Sequence, residues 1–270
     1  MAQEIMQHYF PQQMPVVLKK YHAHSRAVCH WKDLDYVVQR VYHDTAAISP
    51  DPEPSETTVV CTVEQGAYNN NMNFERLTIP FESYVDYLKL FQQQQQEQQQ
   101  QQRESPPILY LAQNDLRSFG SSLASDVILP PFCYTPTANI GLGHLYQTML
   151  WMGPTGSFTP LHYDPLDNLL LQMVGTKRVA LFPRTVPAAS LSAGRDFAQQ
   201  YNTSALSNVL LLLLNHNDDN VEINHPALLQ VRDQLVTAVL EPGDALYIPA
   251  KWWHQVESLT MSMSVNVWWR

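Results

Sequence analysis

The sequence predicts a mainly β fold: an antiparallel double-sheet barrel or jelly roll, with flanking helices and a small N-terminal α/β layer. Strand patterns broken by Gly and Pro turns fill "ANIGLGHLYQTMLWMGPTGSFTPLHYD" and continue to residue 183. The C-terminal stretch "LEPGDALYIPAKWWHQVESLTMSMSVNVWW" repeats that pattern. No periodic nucleotide-binding βαβ unit separates them, and strands in both flanks with turns between them favour two stacked antiparallel sheets.

Taken in order, "MPVVLKKY" has a β-branched apolar centre of strand type, "WKDLDYVVQRVY" repeats apolar residues at helical spacing, and "SETTVVCTVEQ" returns to strand composition. In "IPFESYVDYLKLF", Phe81, Tyr84, Tyr87, Leu88 and Phe91 again fall at helical spacing. Residues 1–91 thus form N-terminal α/β elements that pack on the barrel. Residues 92–102 are all glutamine except Glu97, and "RESPP" follows, so residues 92–107 are expected to be a Gln-rich low-complexity loop. Residues 108–270 hold the barrel core. "PILYLAQ" is its first strand, Gly175 and Thr176 look like a hairpin turn between strands 168–174 and 177–182, and about 185–235 reads as a helical insertion.

Composition narrows the function. A chain of 270 residues, 45% hydrophobic and 10% aromatic, can bury a substantial core. A formal charge of -9 and a pI near 5.5 argue against binding nucleic acid or anionic membrane by bulk electrostatics. The longest leucine run, Leu210 to Leu214, is far short of the ~20 apolar residues that span a bilayer. Cys29, Cys61 and Cys133 are odd in number and widely spaced, as reduced packing thiols would be. An intracellular protein, nuclear and/or cytoplasmic, is expected; the start lacks a secretory profile and no Lys/Arg cluster addresses the nucleus.

The chemistry concentrates in "TPLHYDPLDN", residues 159–168. Along a strand, side chains at i and i+2 share a face, so His162 and Asp164 can meet one ion while Tyr163 points away. H-x-D alone is common, and a third ligand is needed. His254, beyond two tryptophans in "PGDALYIPAKWWHQV", is the candidate. Two histidines and one carboxylate with open positions form the facial triad of non-haem Fe(II) oxygenases. The odd offset of Asp167 from Asp164 makes it a structural residue. His22, His24 and His30 have no carboxylate beside them on a strand and receive no role. Tyr163, Trp252 and Trp253 are placed to shape the pocket or to fill the core.

"WMGPTGSFTPLHYDPLDNLLLQMVGTKRVALFP", "PGDALYIPAKWWHQVES" and "MSVNVWW" together resemble the JmjC family, in its small cupin-like hydroxylase branch. The resemblance implies a double-stranded β-helix that binds Fe(II) through His162, Asp164 and His254 and uses 2-oxoglutarate and O2. Lys177, on a face shared with Val179 and Leu181, then matches the lysine that binds the distal carboxylate of 2-oxoglutarate. Thr159 and Tyr110 match its helpers, and Asn168 and Asn266 match positions lining the cosubstrate pocket. Asn168 also shares a strand face with Leu170 and Gln172. The same resemblance, through "YLAQ", favours hydroxylation of a protein or peptide side chain, an arginyl residue first. Histone N-methyl-lysine demethylation is an alternative, and so is a tRNA-modifying hydroxylase, which the acidic charge disfavours. A degenerate cupin serving as a binding module is the non-enzyme alternative, and the full ligand set speaks against it.

Overall fold

The computed structural model describes residues 2–46, 58–66, 74–98, 106–191, 202–214 and 225–270. Among the described residues, twelve strands form two antiparallel sheets. They are β1 (Val16–Leu18), β2 (Val60–Gln65), β3 (Glu75–Pro80), β4 (Leu109–Asp115), β5 (Leu145–Gly153), β6 (Phe158–Tyr163), β7 (Asp167–Val174), β8 (Lys177–Phe182), β9 (Val236–Leu240), β10 (Ala245–Ile248), β11 (Trp253–Ser258) and β12 (Ser262–Trp269). The larger sheet has eight strands in the order β1-β10-β7-β12-β5-β4-β2-β3, and the smaller has four in the order β6-β11-β8-β9. This is the jelly roll that the turn-separated strand patterns predict.

Strand alternation gives each sheet an inner and an outer face. On the larger sheet the outer residues Leu169, Leu171, Val265, Val267 and Trp269 are buried in the main core. The helices α1 (Ala2–Gln12), α2 (Arg26–His30), α3 (Leu34–Ala46) and α4 (Phe81–Gln98) cover it with Met6, Ala27, Val37, Val41, Tyr84 and Leu88. On the smaller sheet the outer residues Leu161, Ala180, Phe182 and Trp253 pack under Leu191, Leu206, Val209, Leu210 and Leu228 of the excursion between β8 and β9. The leucine run forms a short helix there, α5 being Ser121–Ala124 and α6 Val209–Leu214. Residues 202–204 lie along the free edge of β6: Tyr163 N donates to the Asn202 carbonyl and Ser204 N to the Leu161 carbonyl. Residues 192–201 and 215–224 of the excursion lie outside the described residues.

The N-terminal elements pack on the barrel with their strands joined to its larger sheet. β1 pairs with β10, and β2 and β3 extend the larger sheet beyond β4. Several expectations are revised. The glutamine tract is not a loop from residue 92, because α4 runs on through Gln98. Glutamine ranks among the good helix formers, so a helix already nucleated on Phe81, Tyr84, Leu88 and Phe91 continues into it. Residues 99–105 lie outside the described residues. Gly175 and Thr176 are not a hairpin turn: β7 pairs with β10 and β12, β8 pairs with β9 and β11, and the link passes from one sheet to the other. Gly175 is required there, with φ at 70° and a carbonyl oxygen of Met261 only 2.0 Å from where a Cβ would stand. Of the cysteines, Cys61 and Cys133 are buried as expected, whereas Cys29 is exposed; all are free. Among the described residues no helix is long and apolar enough to cross a membrane.

Candidate metal centre and cosubstrate pocket

The two histidines face each other across one ladder. β6 and β11 pair antiparallel with His254 directly opposite His162, and the ring centroids are 4.2 Å apart. Each ring is oriented by the carbonyl two residues before it. His162 Nδ1 lies 2.8 Å from the Pro160 oxygen and His254 Nδ1 3.0 Å from the Trp252 oxygen. A carbonyl can only accept, so the proton sits on Nδ1 and each Nε2 keeps its lone pair. Burial, reinforced by the neighbouring His162 imidazole, pushes His254 down to about 4, against the opposing pull of Asp164 and the Trp252 carbonyl.

Asp164 follows the last residue of β6 and closes the group. Its oxygens lie 3.9 Å from His162 Nε2 and 3.7 Å from His254 Nε2, too long for hydrogen bonds. The donor atoms of the three residues all lie within 4.8 Å of one another, and this is the one such group among the described residues. Asp164 Oδ2 accepts from Asn168 Nδ2 at 3.1 Å and from Trp268 Nε1 at 3.0 Å. Asn168 Oδ1 in turn accepts from Asn266 Nδ2 at 2.8 Å. Two neutral nitrogens and one carboxylate held from behind are a donor set suited to a divalent first-row metal, so the residues fit Fe(II).

Lys177 opens onto the same cavity from β8, one strand from His254. Its side chain is fully buried, and its Nζ donates to Tyr110 Oη at 3.1 Å and to Ser264 Oγ at 2.7 Å. Among the described residues no carboxylate pairs with it, and burial lowers its pKa to about 7. A cation removed from water without a counter-ion is costly, so this end of the pocket is completed by an anion. Burial raises the Tyr110 phenol well above its ordinary range, with the Thr159 hydroxyl partly offsetting it, so the phenol stays a neutral hydrogen-bond partner. Lys177, Tyr110 and Thr159 therefore fit the distal carboxylate of 2-oxoglutarate.

The residues singled out from sequence fall in three groups. His162, Asp164, His254, Lys177, Tyr110, Thr159 and Asn266 all line one cavity. Asn168 does not; it stands behind Asp164 and holds its carboxylate. Asp167 is structural, accepting from Tyr247 Oη at 2.8 Å and from Ala250 N at 3.2 Å. Tyr163 and Trp253 stack edge to face in the outer cluster, and Trp252 is buried with its Nε1 donating to the Gln13 carbonyl. Sequence reasoning missed Ser264, Trp268 and Trp151, which complete the pocket wall and its supports. The signal for the first two was strand alternation: Ser264, Asn266 and Trp268 share one face of β12.

The Cupin-like domain family model matches residues 2–270. Over 160 residues the chain is 37% identical to the lysine-specific demethylase JMJ30 of Arabidopsis thaliana, covering 59% of this chain and 33% of that protein. The Jumonji C domain-containing protein 5 of Drosophila melanogaster is 33% identical over 60% of this chain and 37% of its own length. The tRNA wybutosine-synthesizing protein 5 of Danio rerio is 32% identical over 58% of this chain and 40% of its own length. The matches thus span between a third and two fifths of these relatives. With a jelly roll, a His-Asp-His group and a buried lysine in one cavity, the chain belongs to the cupin-like (JmjC) domain family of 2-oxoglutarate-dependent oxygenases.

Proposed function

We propose that this chain is an Fe(II)- and 2-oxoglutarate-dependent oxygenase that hydroxylates a side chain of a protein substrate, with arginine as the target. The observation that carries the oxygenase reading is Lys177: a buried cation with no carboxylate partner among the described residues, in the cavity that holds His162, Asp164 and His254. Fe(II) with 2-oxoglutarate and O2 supplies oxidative decarboxylation to succinate and CO2 together with insertion of an oxygen atom into a C–H bond.

The chain's residues then have distinct roles. His162, Asp164 and His254 hold the metal, with Asn168 and Trp268 fixing the carboxylate's rotation. Lys177, Tyr110, Ser264 and Thr159 bind and orient the cosubstrate, while Leu170, Ile248 and Val256 keep water from the cavity. A cationic target is supported by Glu64, which faces Tyr110 across the β2–β4 ladder and is mostly withdrawn from solvent. The net charge of -9 also favours a basic partner over a tRNA backbone. Removal of an N-methyl group from lysine is the second reading, supported by the name of the Arabidopsis relative.

The test is anaerobic addition of 2-oxoglutarate to the Fe(II)-loaded protein, read by the metal-to-ligand charge-transfer absorption of the chelate, with Asp164→Ala as control. The band is expected in the parent protein and absent from the variant. An iron-loaded parent without the band overturns the reading. Mass spectrometry of arginine and methyl-lysine peptides then separates gain of an oxygen atom from loss of a methyl carbon.

A further inference from the structure

One row of side chains leads out of the pocket along the inner face of the larger sheet. Trp151 and Tyr110 stack at 5.6 Å between ring centroids. Glu64 stands opposite Tyr110, and Arg76 opposite Glu64 on the edge strand β3. Cys61 and Val63, on the other face of β2, are buried in the main core, so Glu64 belongs to the pocket side. Its side chain is 12% exposed, whereas that of Arg76 is 61% exposed. Burial raises the Glu64 pKa and Arg76 partly restores it, so this carboxylate needs a cation close by.

We propose that Arg76 is an internal stand-in for the substrate: its guanidinium occupies Glu64 in the resting protein and is displaced by a substrate guanidinium. This rests on the protein-hydroxylase reading above and goes beyond it by assigning a residue that tunes affinity and selectivity. The contact is one-sided. Arg76 Nε and Nη2 both donate to Glu64 Oε1, at 3.0 and 2.9 Å, and neither reaches Oε2. An incoming guanidinium can engage both oxygens in a fork, the stronger arrangement. Arg76 can also swing off into solvent over Phe74, whose ring centroid its Cζ already approaches at 5.4 Å. Glu64 cannot follow it. Glu64 is therefore compensated in the resting state and in the complex alike. A neutral side chain that pushed Arg76 aside would leave a mostly withdrawn carboxylate unpaired, and the site rejects it.

The experiment follows the Glu64 carboxyl carbon by NMR while the protein is titrated with N-acetyl-arginine methylamide, or with the citrulline analogue as the uncharged control. Arg76→Met, with Arg76→Gln as a second variant, is expected to bind the arginine probe about fivefold more tightly than the parent, the worth of one exposed ion pair. Adding Glu64→Gln to Arg76→Met is expected to abolish that binding, and the citrulline analogue is expected not to bind. Equal or weaker binding by both Arg76 variants, binding that survives Glu64→Gln, or no binding of the probe would overturn the proposal. The titration needs neither iron nor 2-oxoglutarate, so its failure is distinguishable from failure of the charge-transfer test.

Discussion

The two sheets contribute differently to the site. The smaller sheet and the residue just after its first strand supply every group that would touch the metal, and also the cation that would meet the proposed cosubstrate: His162 and Asp164 with β6, His254 on β11, Lys177 on β8. The larger sheet supplies mainly the hydrogen-bond partners that hold those groups in place. Asn168 and Trp268 donate to Asp164, and Tyr110 and Ser264 accept from Lys177. Reactive groups sit on one wall and their supports on the other. The relative position of the sheets, set by the core, thereby becomes a determinant of metal geometry.

Losing a ligand from the smaller sheet should have the largest effect. Asp164→Ala is expected to lose the charge-transfer band and all 2-oxoglutarate-dependent turnover; turnover near that of the parent, after metal depletion and reloading, would break the division. Lys177→Ala should leave metal binding intact and raise the 2-oxoglutarate concentration needed by roughly 30-fold or more, as expected when one partner of a buried charge pair is removed. A support from the larger sheet should matter less. Trp268→Phe deletes one donor to Asp164 while keeping most of the ring, so Co(II) affinity should fall about tenfold with little change in Tm.

The smallest effect is one of pH. Lys177 has a pKa of about 7 in the ligand-free pocket, and a bound carboxylate raises it, so binding takes up a proton. Cosubstrate affinity should be fully present below that value and fall about fivefold between about pH 7 and pH 8. An affinity flat across that range would show that Lys177 is not the anchor.

The same division explains what is legible in the sequence. His162 and Asp164 are two residues apart on one strand, so their shared face follows from strand periodicity alone. His254 is legible only as a candidate third ligand behind its two tryptophans, and Lys177 requires the resemblance, because nothing local says that β8 and β11 lie side by side. Asn168 is legible as an inward residue but not as a brace, since alternation shows where it points and not that the Asp164 carboxylate lies in between. Ser264 and Trp268 follow from the face of Asn266, once that strand is read as a whole. The link at Gly175 and Thr176 misleads because a two-residue glycine turn looks the same whether the chain folds back within a sheet or crosses to the facing one. Only the distant pairing of β7 with β12 separates these cases. The helical extension of the glutamine tract lacks any apolar period, leaving residue propensity as its sole signal.

The place of β12 has a kinetic consequence. The strand furthest along the chain lies in the middle of the larger sheet, between β5 and β7, with Ser264, Asn266 and Trp268 on its inner face. During synthesis His162, Asp164, Lys177 and His254 are all made before the strand that braces them. A nascent chain can therefore carry every ligand without a rigid site. The sheet closes only through long-range pairing with strands made roughly a hundred residues earlier, the slow kind of contact in folding. Selective metal capture would then belong to the finished fold, and a folding defect in β12 would surface first as weak or promiscuous metal loading.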